Sequence, residues 1–261
     1  MGYYDVTQKK ARRESASTAY LRPARKRRNL TIQPHALATR VLVEDGRARG
    51  VEYTVKGKPT VAYADREVVL SGGSVNSPRL LLLSGIGPAN ELGALGINTV
   101  HNLPGVGKNF QDHMDVYLTA ETTPVSYNES DRPFKALAAG IQYVLYRTGP
   151  VTASVCEAGM FVRSSSDVVS PDIQMHCLPA FVVDHGRMRI RGHGMTINTC
   201  NLRPKSMGSV TLRSADPAVP PAIDPNFLSD PYDWKISLEG FKWGREMLAT
   251  KIGRASCRER V

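Results

Sequence analysis

The chain has 261 residues, of which 41% are hydrophobic and 22% are charged, so its composition is that of a globular protein rather than a disordered or fibrous one. No apolar run approaches the roughly 20 residues of a membrane-spanning helix, and residues 1–5 do not open a signal peptide. The formal net charge of +10 suggests an alternative function, in which the chain is a basic, non-enzymatic module that binds nucleic acid.

The positive charge is concentrated in residues 22–28 and in the C-terminal tail. No aromatic residue lies within the basic run, as a surface that stacks on bases would need. We therefore predict that residues 22–28 form a solvent-exposed loop, and we expect no nucleic-acid partner. The tail, residues 251–261, resembles the translation of a sequencing-adapter read, so we expect it to be an artefact and leave it out of the fold prediction.

The four cysteines show no CxxC spacing and no disulfide framework, which favours a reducing cytoplasm. Histidines and cysteines also accumulate between residues 176 and 200, but their spacing fits no zinc-binding pattern, so no metal site is predicted. The residues considered are His176, Cys177, His185, His193 and Cys200.

An antiparallel meander is predicted in the first half of the chain. Residues 36–43 and 49–55 alternate apolar and polar side chains, and Asp45 and Gly46 between them give a strong hairpin signal. Residues 61–70 supply the last strands of this meander. Before it, a short helix is predicted to end near Leu21, capped by Ser15 or Ser17.

A strand, a turn of small residues and a helix are predicted next. Residues 67–70 are apolar, and the small residues 71–74 leave room for a ligand to approach the backbone. Ser77 suits a helix N-cap and Pro78 suits the first helical position. Gly85 suits the left-handed position just after a helix end.

This segment resembles the second signature of the glucose–methanol–choline (GMC) flavoprotein oxidoreductases, and residues 103–113 resemble the conserved block that follows it. The signature positions present are Gly72, Ser77, Pro78, Leu81, Leu82, Ser84, Gly85 and Gly87. The resemblance implies an FAD-dependent alcohol or choline dehydrogenase or oxidase, which converts a CH–OH group to a carbonyl and passes hydride to flavin. Its partner would be a small-molecule alcohol. The expected location is the cytoplasm, and membrane association through an electron acceptor remains open.

The resemblance also implies where FAD binds. In the family, one residue of the strand after an Asn-Leu-Thr stretch offers its backbone to the adenine; by position this is Ala38, where the family often has Val, with Val41 as the second choice. An ordinary β-core role for both residues remains open. The cofactor-binding candidates are Ala38, Val41, Ser71, Gly72, Gly73 and Asn109.

Asp112 and His113 are an adjacent acid and histidine, which allows acid–base chemistry. We favour a role in fixing a loop, because the resemblance implies that this histidine is not one of the main catalytic groups.

The second half of the chain is predicted to contain two helices and several strands. Residues 132–146 carry apolar side chains at helical spacings of three and four. Strands are predicted over 173–178 and 195–202, and a long helix over 230–249. Residues 157–162, 203–212 and 223–228 resemble further segments of the family.

The fold class expected is α+β or α/β: a partial FAD-binding domain of meander and strand–turn–helix, joined to a mostly antiparallel substrate-domain sheet with flanking helices. The domains expected are 1–115, the distal part of the FAD domain, and 116–250, the substrate domain with the start of the C-terminal region. Neither the GxGxxG turn that cradles the FAD pyrophosphate nor the family's C-terminal catalytic histidine is recognised. We therefore expect a piece truncated at both ends and inactive alone, and assign no catalytic residue.

Overall fold

The computed structural model describes residues 2–123, 126–128, 132–184, 187–188, 190–251, 253 and 257–258. The predicted fold class is confirmed, since the chain is mixed α/β with mostly antiparallel sheets. Two compact units are present. One comprises Thr31–Asp112 and Lys205–Asp230, and the other comprises Met1–Leu30, His113–Pro204 and Pro231–Val261.

The strands are Gly2–Tyr3 (β1), Gln8–Lys9 (β2), Arg12–Arg13 (β3), Ala36–Glu44 (β4), Arg47–Val55 (β5), Lys58–Tyr63 (β6), Ile86–Gly87 (β7), His101–Asn102 (β8), Lys108–Phe110 (β9), Asp115–Thr122 (β10), Ala158–Val162 (β11), Ile173–Leu178 (β12), Gly194–Asn201 (β13), Gly208–Thr211 (β14), Ala222–Asp224 (β15) and Cys257–Arg258 (β16). The α-helices are Arg22–Ala24 (α1), Gly73–Leu83 (α2), Ala89–Ala94 (α3), Pro133–Tyr146 (α4) and Pro231–Ala249 (α5). A π-helical turn, Ser17–Leu21, precedes α1, and a 3-10 turn, Pro150–Thr152, follows α4.

The meander β4–β5–β6 is confirmed as a three-stranded antiparallel sheet. Its first turn has Asp45 at φ 51° and Gly46 at φ 72°, and its second turn has Lys56 at φ 51° and Gly57 at φ 77°. Two consecutive left-handed residues match the twist of the flanking strands, which is why a residue tolerant of positive φ followed by Gly is favoured there.

The predicted strand over residues 67–70 is wrong. These residues lie outside every sheet that the described residues form, and Val69 is largely exposed. Apolar β-formers give a strand only when a neighbouring segment pairs with their N–H and C=O groups, and the described part of the chain supplies no such neighbour.

The predicted start of the next helix is also wrong. Helix α2 begins at Gly73, so Ser77 and Pro78 lie inside it rather than at its first positions. Gly73 has φ +77°, and this left-handed conformation turns the chain into the helix directly after Gly72. Pro78 costs one internal bond, since it has no N–H to donate to the Ser74 carbonyl. The predicted end is confirmed, because the helix stops at Leu83 and Gly85 has φ +80°.

The unit that comprises residues 31–112 and 205–230 has an apolar core between α2, α3 and the segment before β9. Leu82, Leu92 and Val106 are buried, with Leu81, Ile97 and Leu212 packed against them. The backbone of Gly107, which has φ +78°, lies close to Val210 of β14. A Cβ at Gly107 would be 2.2 Å from the Val210 carbonyl oxygen.

The other unit is built on a six-stranded sheet of order β1-β11-β12-β13-β10-β16, in which neighbouring strands are antiparallel. Helix α5 covers one face, and its Ile236 packs with Ile173 and Met175 in a buried cluster. Gly240 and Gly244 let the helix approach the sheet closely. The predicted long helix is therefore confirmed.

Helix α4 is confirmed as a helix, but its apolar side chains are exposed rather than packed against the sheet. No helix of the described residues is long and apolar enough to span a bilayer. In the C-terminal tail expected to be an artefact, Ile252 and residues 254–256 and 259–261 lie outside the described residues.

Candidate cofactor site

A groove of about 470 Å³ lies between the meander, residues 69–72 and α2. Three of the six cofactor-binding candidates, Ala38, Ser71 and Gly72, line it together. Leu37, Val51, Leu80 and Leu83 form its apolar walls. The volume falls within the roughly 300–1,000 Å³ of small-molecule pockets.

A β-bulge lies beside Ala38. Ala38 pairs with Tyr53, but the next pair is Arg40 with Glu52, so Thr39 is an extra residue in β4. A bulge leaves backbone groups of the extra residue outside the ladder and is frequent next to ligand sites. The bulge was not predicted, since the alternation over residues 36–43 is continuous in the sequence and gives no sign of it.

An ion pair on the sheet surface joins β4 and β5 directly after the bulge. The Arg40 guanidinium donates to both Glu52 carboxylate oxygens, at 3.0 and 2.8 Å. This hydrogen bonding holds the pKa of Glu52 below its usual value.

The start of α2 forms the polar end of the groove. The Gly72 N–H donates to Ser77 Oγ at 2.9 Å. A Cβ on Gly72 would lie 3.0 Å from Asn76 Cβ and 3.1 Å from the Ser77 nitrogen, so this position favours glycine. The first N–H groups of a helix have no partner within it and attract anionic or polar ligand atoms.

Gly73, Val41 and Asn109 do not line this groove. Gly73 begins α2 beside Gly72. Val41 is buried, and its N–H already donates to Ser84 Oγ at 2.8 Å. Asn109 is exposed in β9 with φ 57°.

Arg79 also lines the groove and was not singled out from the sequence. Its guanidinium donates to the carbonyls of Pro217 and Val219. Its Nε is buried and has no hydrogen-bond partner among the described residues.

These features fit part of a flavin nucleotide. The apolar walls suit the flat face of a base, and Ala38 of β4 and the start of α2 at Gly72 line the same groove. The pyrophosphate-binding GxGxxG turn does not occur in the sequence.

In the unit that contains the six-stranded sheet, the sheet face opposite α5 carries polar side chains. His176, Asn198 and Tyr117 are consecutive partners across β12, β13 and β10. Asn198 Nδ2 donates to Asp115 Oδ2 at 2.9 Å, and Cys156 Sγ lies 3.1 Å from His176 Nδ1.

Burial raises the pKa of the Cys156 thiol and lowers the pKa of His176, and both shifts favour the neutral forms over a thiolate–imidazolium pair. No cluster of three or more metal-ligating side chains occurs among the described residues, and His185 lies outside them. His113 Nε2 lies 3.2 Å from the Leu202 carbonyl oxygen, as suits a residue that fixes a loop.

Curated relatives of similar sequence are alcohol and choline dehydrogenases. The alcohol dehydrogenase [acceptor] of Pseudomonas putida is 45% identical over 250 residues, covering 94% of this chain and 45% of that protein. The mitochondrial choline dehydrogenase of Homo sapiens is 43% identical over 249 residues, covering 95% of this chain and 42% of that protein. The chain thus spans about half the length of the curated relatives it matches.

Solved structures of similar fold include a variant of the formate oxidase of Aspergillus oryzae RIB40, in which FAD modification was studied. Its TM-score is 0.85 at 26% identity, and the match covers 96% of this chain and 48% of that one. The pyridoxine 4-oxidase of Mesorbium loti has the same fold, with a TM-score of 0.81 at 22% identity, covering 97% and 46%. Models of the GMC oxidoreductase family match residues 1–115 and 204–259. The chain therefore belongs to the GMC oxidoreductase family.

Proposed function

We propose that this chain is part of an FAD-dependent oxidoreductase that converts the CH–OH group of a small alcohol to a carbonyl. The observation that carries the proposal is the groove that brings Ala38, Ser71 and Gly72 together within the segment matched by the family's N-terminal model. The alcohol and choline dehydrogenases similar to this chain support a small alcohol, choline included, as the substrate class.

In this proposal, the backbone of Ala38 faces the adenine edge, and the Gly72 end of α2 holds polar groups of the cofactor. Ser71 contributes the wall between them. FAD, when bound, supplies the hydride acceptor. This chain's own contribution is to bind and orient the nucleotide and to exclude water from its apolar walls.

We further propose that residues 1–115 are the distal part of the FAD domain and residues 116–250 the substrate domain, as the family resemblance implies. Val41, Gly73 and Asn109 remain cofactor-binding candidates that act outside the groove. Cys156, Cys177 and Cys200 are free, which supports a reducing compartment such as the cytoplasm. The nucleic-acid alternative has no support from the family assignment.

The test is expression of the complete reading frame that contains this chain. We expect a yellow protein whose flavin absorbance is bleached anaerobically by a small alcohol or choline. A Gly72→Val variant should bind flavin at least about tenfold more weakly, because the valine side chain would collide with Asn76 and Ser77. Gly105→Val is the matched control, because a Cβ at Gly105 meets no atom within 4 Å. A colourless protein, or a flavin that no alcohol reduces, would reject the proposal.

A further inference from the structure

Asp115 places a carboxylate on the sheet face opposite α5. It begins β10, and Leu118 of the same strand lies against Gly244 of α5. Because side chains alternate along a strand, Asp115 points to the other face. Among the described residues, no ion pair involves Asp115, although the chain as a whole carries a formal net charge of +10. This exposed carboxylate therefore has no cationic partner within the described part of the chain.

The neighbouring Asn198 side chain has an acceptor that lacks a donor. Asn198 is only 8% exposed, and its Nδ2 donates to Asp115 Oδ2 at 2.9 Å. Its Oδ1 is buried and has no hydrogen-bond partner among the described residues. The opposite orientation of the amide would place Oδ1 against the carboxylate, so the hydrogen-bond network fixes this one. Native structures rarely leave a buried polar atom unpaired without a reason.

Aromatic rings border the same position. Tyr117 pairs with Asn198 across the strands, is 40% exposed, and has its hydroxyl group 3.5 Å from Asp115 Oδ2. On the other side of Asn198 lies His176, whose ring centre is 5.3 Å from that of Tyr4. Burial lowers the pKa of His176, which favours the neutral imidazole. The position thus combines a negative charge, an unpaired acceptor and the faces of aromatic rings, all of which attract cations.

We propose that Asp115, Asn198 and Tyr117 bind a cationic group of the substrate, so that the alcohol oxidised by this protein carries an ammonium group away from its CH–OH carbon. This inference rests on the proposed function, because it names the class of alcohol. The Asp115 carboxylate balances the charge of the ammonium group, and the Tyr117 ring offers it an aromatic face. Asn198 Oδ1 accepts from its polarised N–H or C–H groups.

A matched pair of alcohols tests this proposal on the protein expressed from the complete reading frame. Choline and 3,3-dimethylbutan-1-ol have nearly the same shape, but choline has a quaternary nitrogen where the other has a carbon. The native protein should therefore prefer choline. Asp115→Asn keeps the size of the side chain and removes its charge. It should lower kcat/KM for choline by roughly tenfold or more, mainly by raising KM, and should change the value for the neutral alcohol by less than about twofold.

Glu121→Gln is the matched control. Glu121 lies on the same strand and the same face as Asp115, six residues further along, and so roughly 20 Å away. The substitution removes an equal charge from the same sheet face, and it should leave the preference for choline unchanged. Asp115→Glu, which keeps the charge, should retain more of that preference than Asp115→Asn does.

The two alcohols also separate the substrate from the rest of the protein as the partner of Asp115. If Asp115 bound another segment of the complete protein instead, Asp115→Asn would impair both alcohols equally or lower the flavin content, and either result overturns the proposal. A native protein that oxidises the neutral alcohol as well as it oxidises choline, or better, also overturns it while leaving the proposed function intact. Flavin that neither alcohol reduces would reject both.

Discussion

Ser84 connects the meander to the end of α2 through its hydroxyl group. The side chain is buried, accepts the Val41 N–H at 2.8 Å and donates to the Leu80 carbonyl at 2.5 Å. Ser84→Ala should lower the free energy of unfolding by about 1–3 kcal/mol, because it leaves the Val41 N–H buried without a partner. Chemical denaturation measures this change. Ser74→Ala, at an exposed position of the same helix, should have little effect, and an equal loss in both variants would contradict the explanation.

Cys200 is a residue whose titration is linked to folding. It is buried in β13, and burial, with the nearby Asp115 carboxylate, raises the pKa of its thiol from the ordinary 9.0 to about 12. The folded state then holds the proton that the unfolded state releases, so stability should fall as pH rises from 9 towards 12. Comparing unfolding across this range in the native chain and in Cys200→Ala should give a shallower decline for the variant.

Thiol labelling checks the same residue by a second route. At pH 8 an alkylating reagent should modify Cys200 far more slowly than the half-buried Cys156 and Cys177, and unfolding should remove the difference. Peptide mass spectrometry distinguishes the sites. Rapid modification of Cys200 in the folded chain would show that the thiol is not protected.

At the scale of elements, the first meander turn depends on Gly46, which has φ +72°. Gly46→Ala should destabilise the hairpin by about 1–2 kcal/mol, because a Cβ disfavours the left-handed conformation even where space is open. Thermal unfolding measures the effect. Gly105→Ala is the control, since that position has neither a positive φ nor a neighbour within 4 Å, and it should be neutral or slightly stabilising.

The segments at the groove show how far an element can be predicted from local residues. The end of α2 at Gly85 was predictable, because a left-handed C-terminal residue is a local steric requirement. Its start at Gly73 was not, since Ser77 and Pro78 gave an equally good local signal. The bulge at Thr39 depends on how β5 pairs with β4, and a single strand's alternation does not record it.

At the scale of the whole molecule, FAD affinity should depend on more than this groove. The purified chain should retain well below one FAD per molecule, because its sequence has no GxGxxG turn to hold the pyrophosphate. Absorbance of the flavin after gel filtration measures the ratio. The complete reading frame is the positive control, and a stoichiometric yellow sample of this chain alone would contradict the prediction.

The sequence by itself determined the hairpin turn at Asp45 and Gly46, the end of α2, the presence of α4 and α5, and the family resemblance. Each depends on the steric preferences of a few adjacent residues or on a contiguous motif. Only the tertiary structure decided that residues 67–70 form no strand, that Ala38, Ser71 and Gly72 share a groove while Val41 and Asn109 do not, and that the apolar side chains of α4 are exposed. Strand pairing, groove formation and burial all depend on partners far away in the sequence, and a local pattern does not specify those partners.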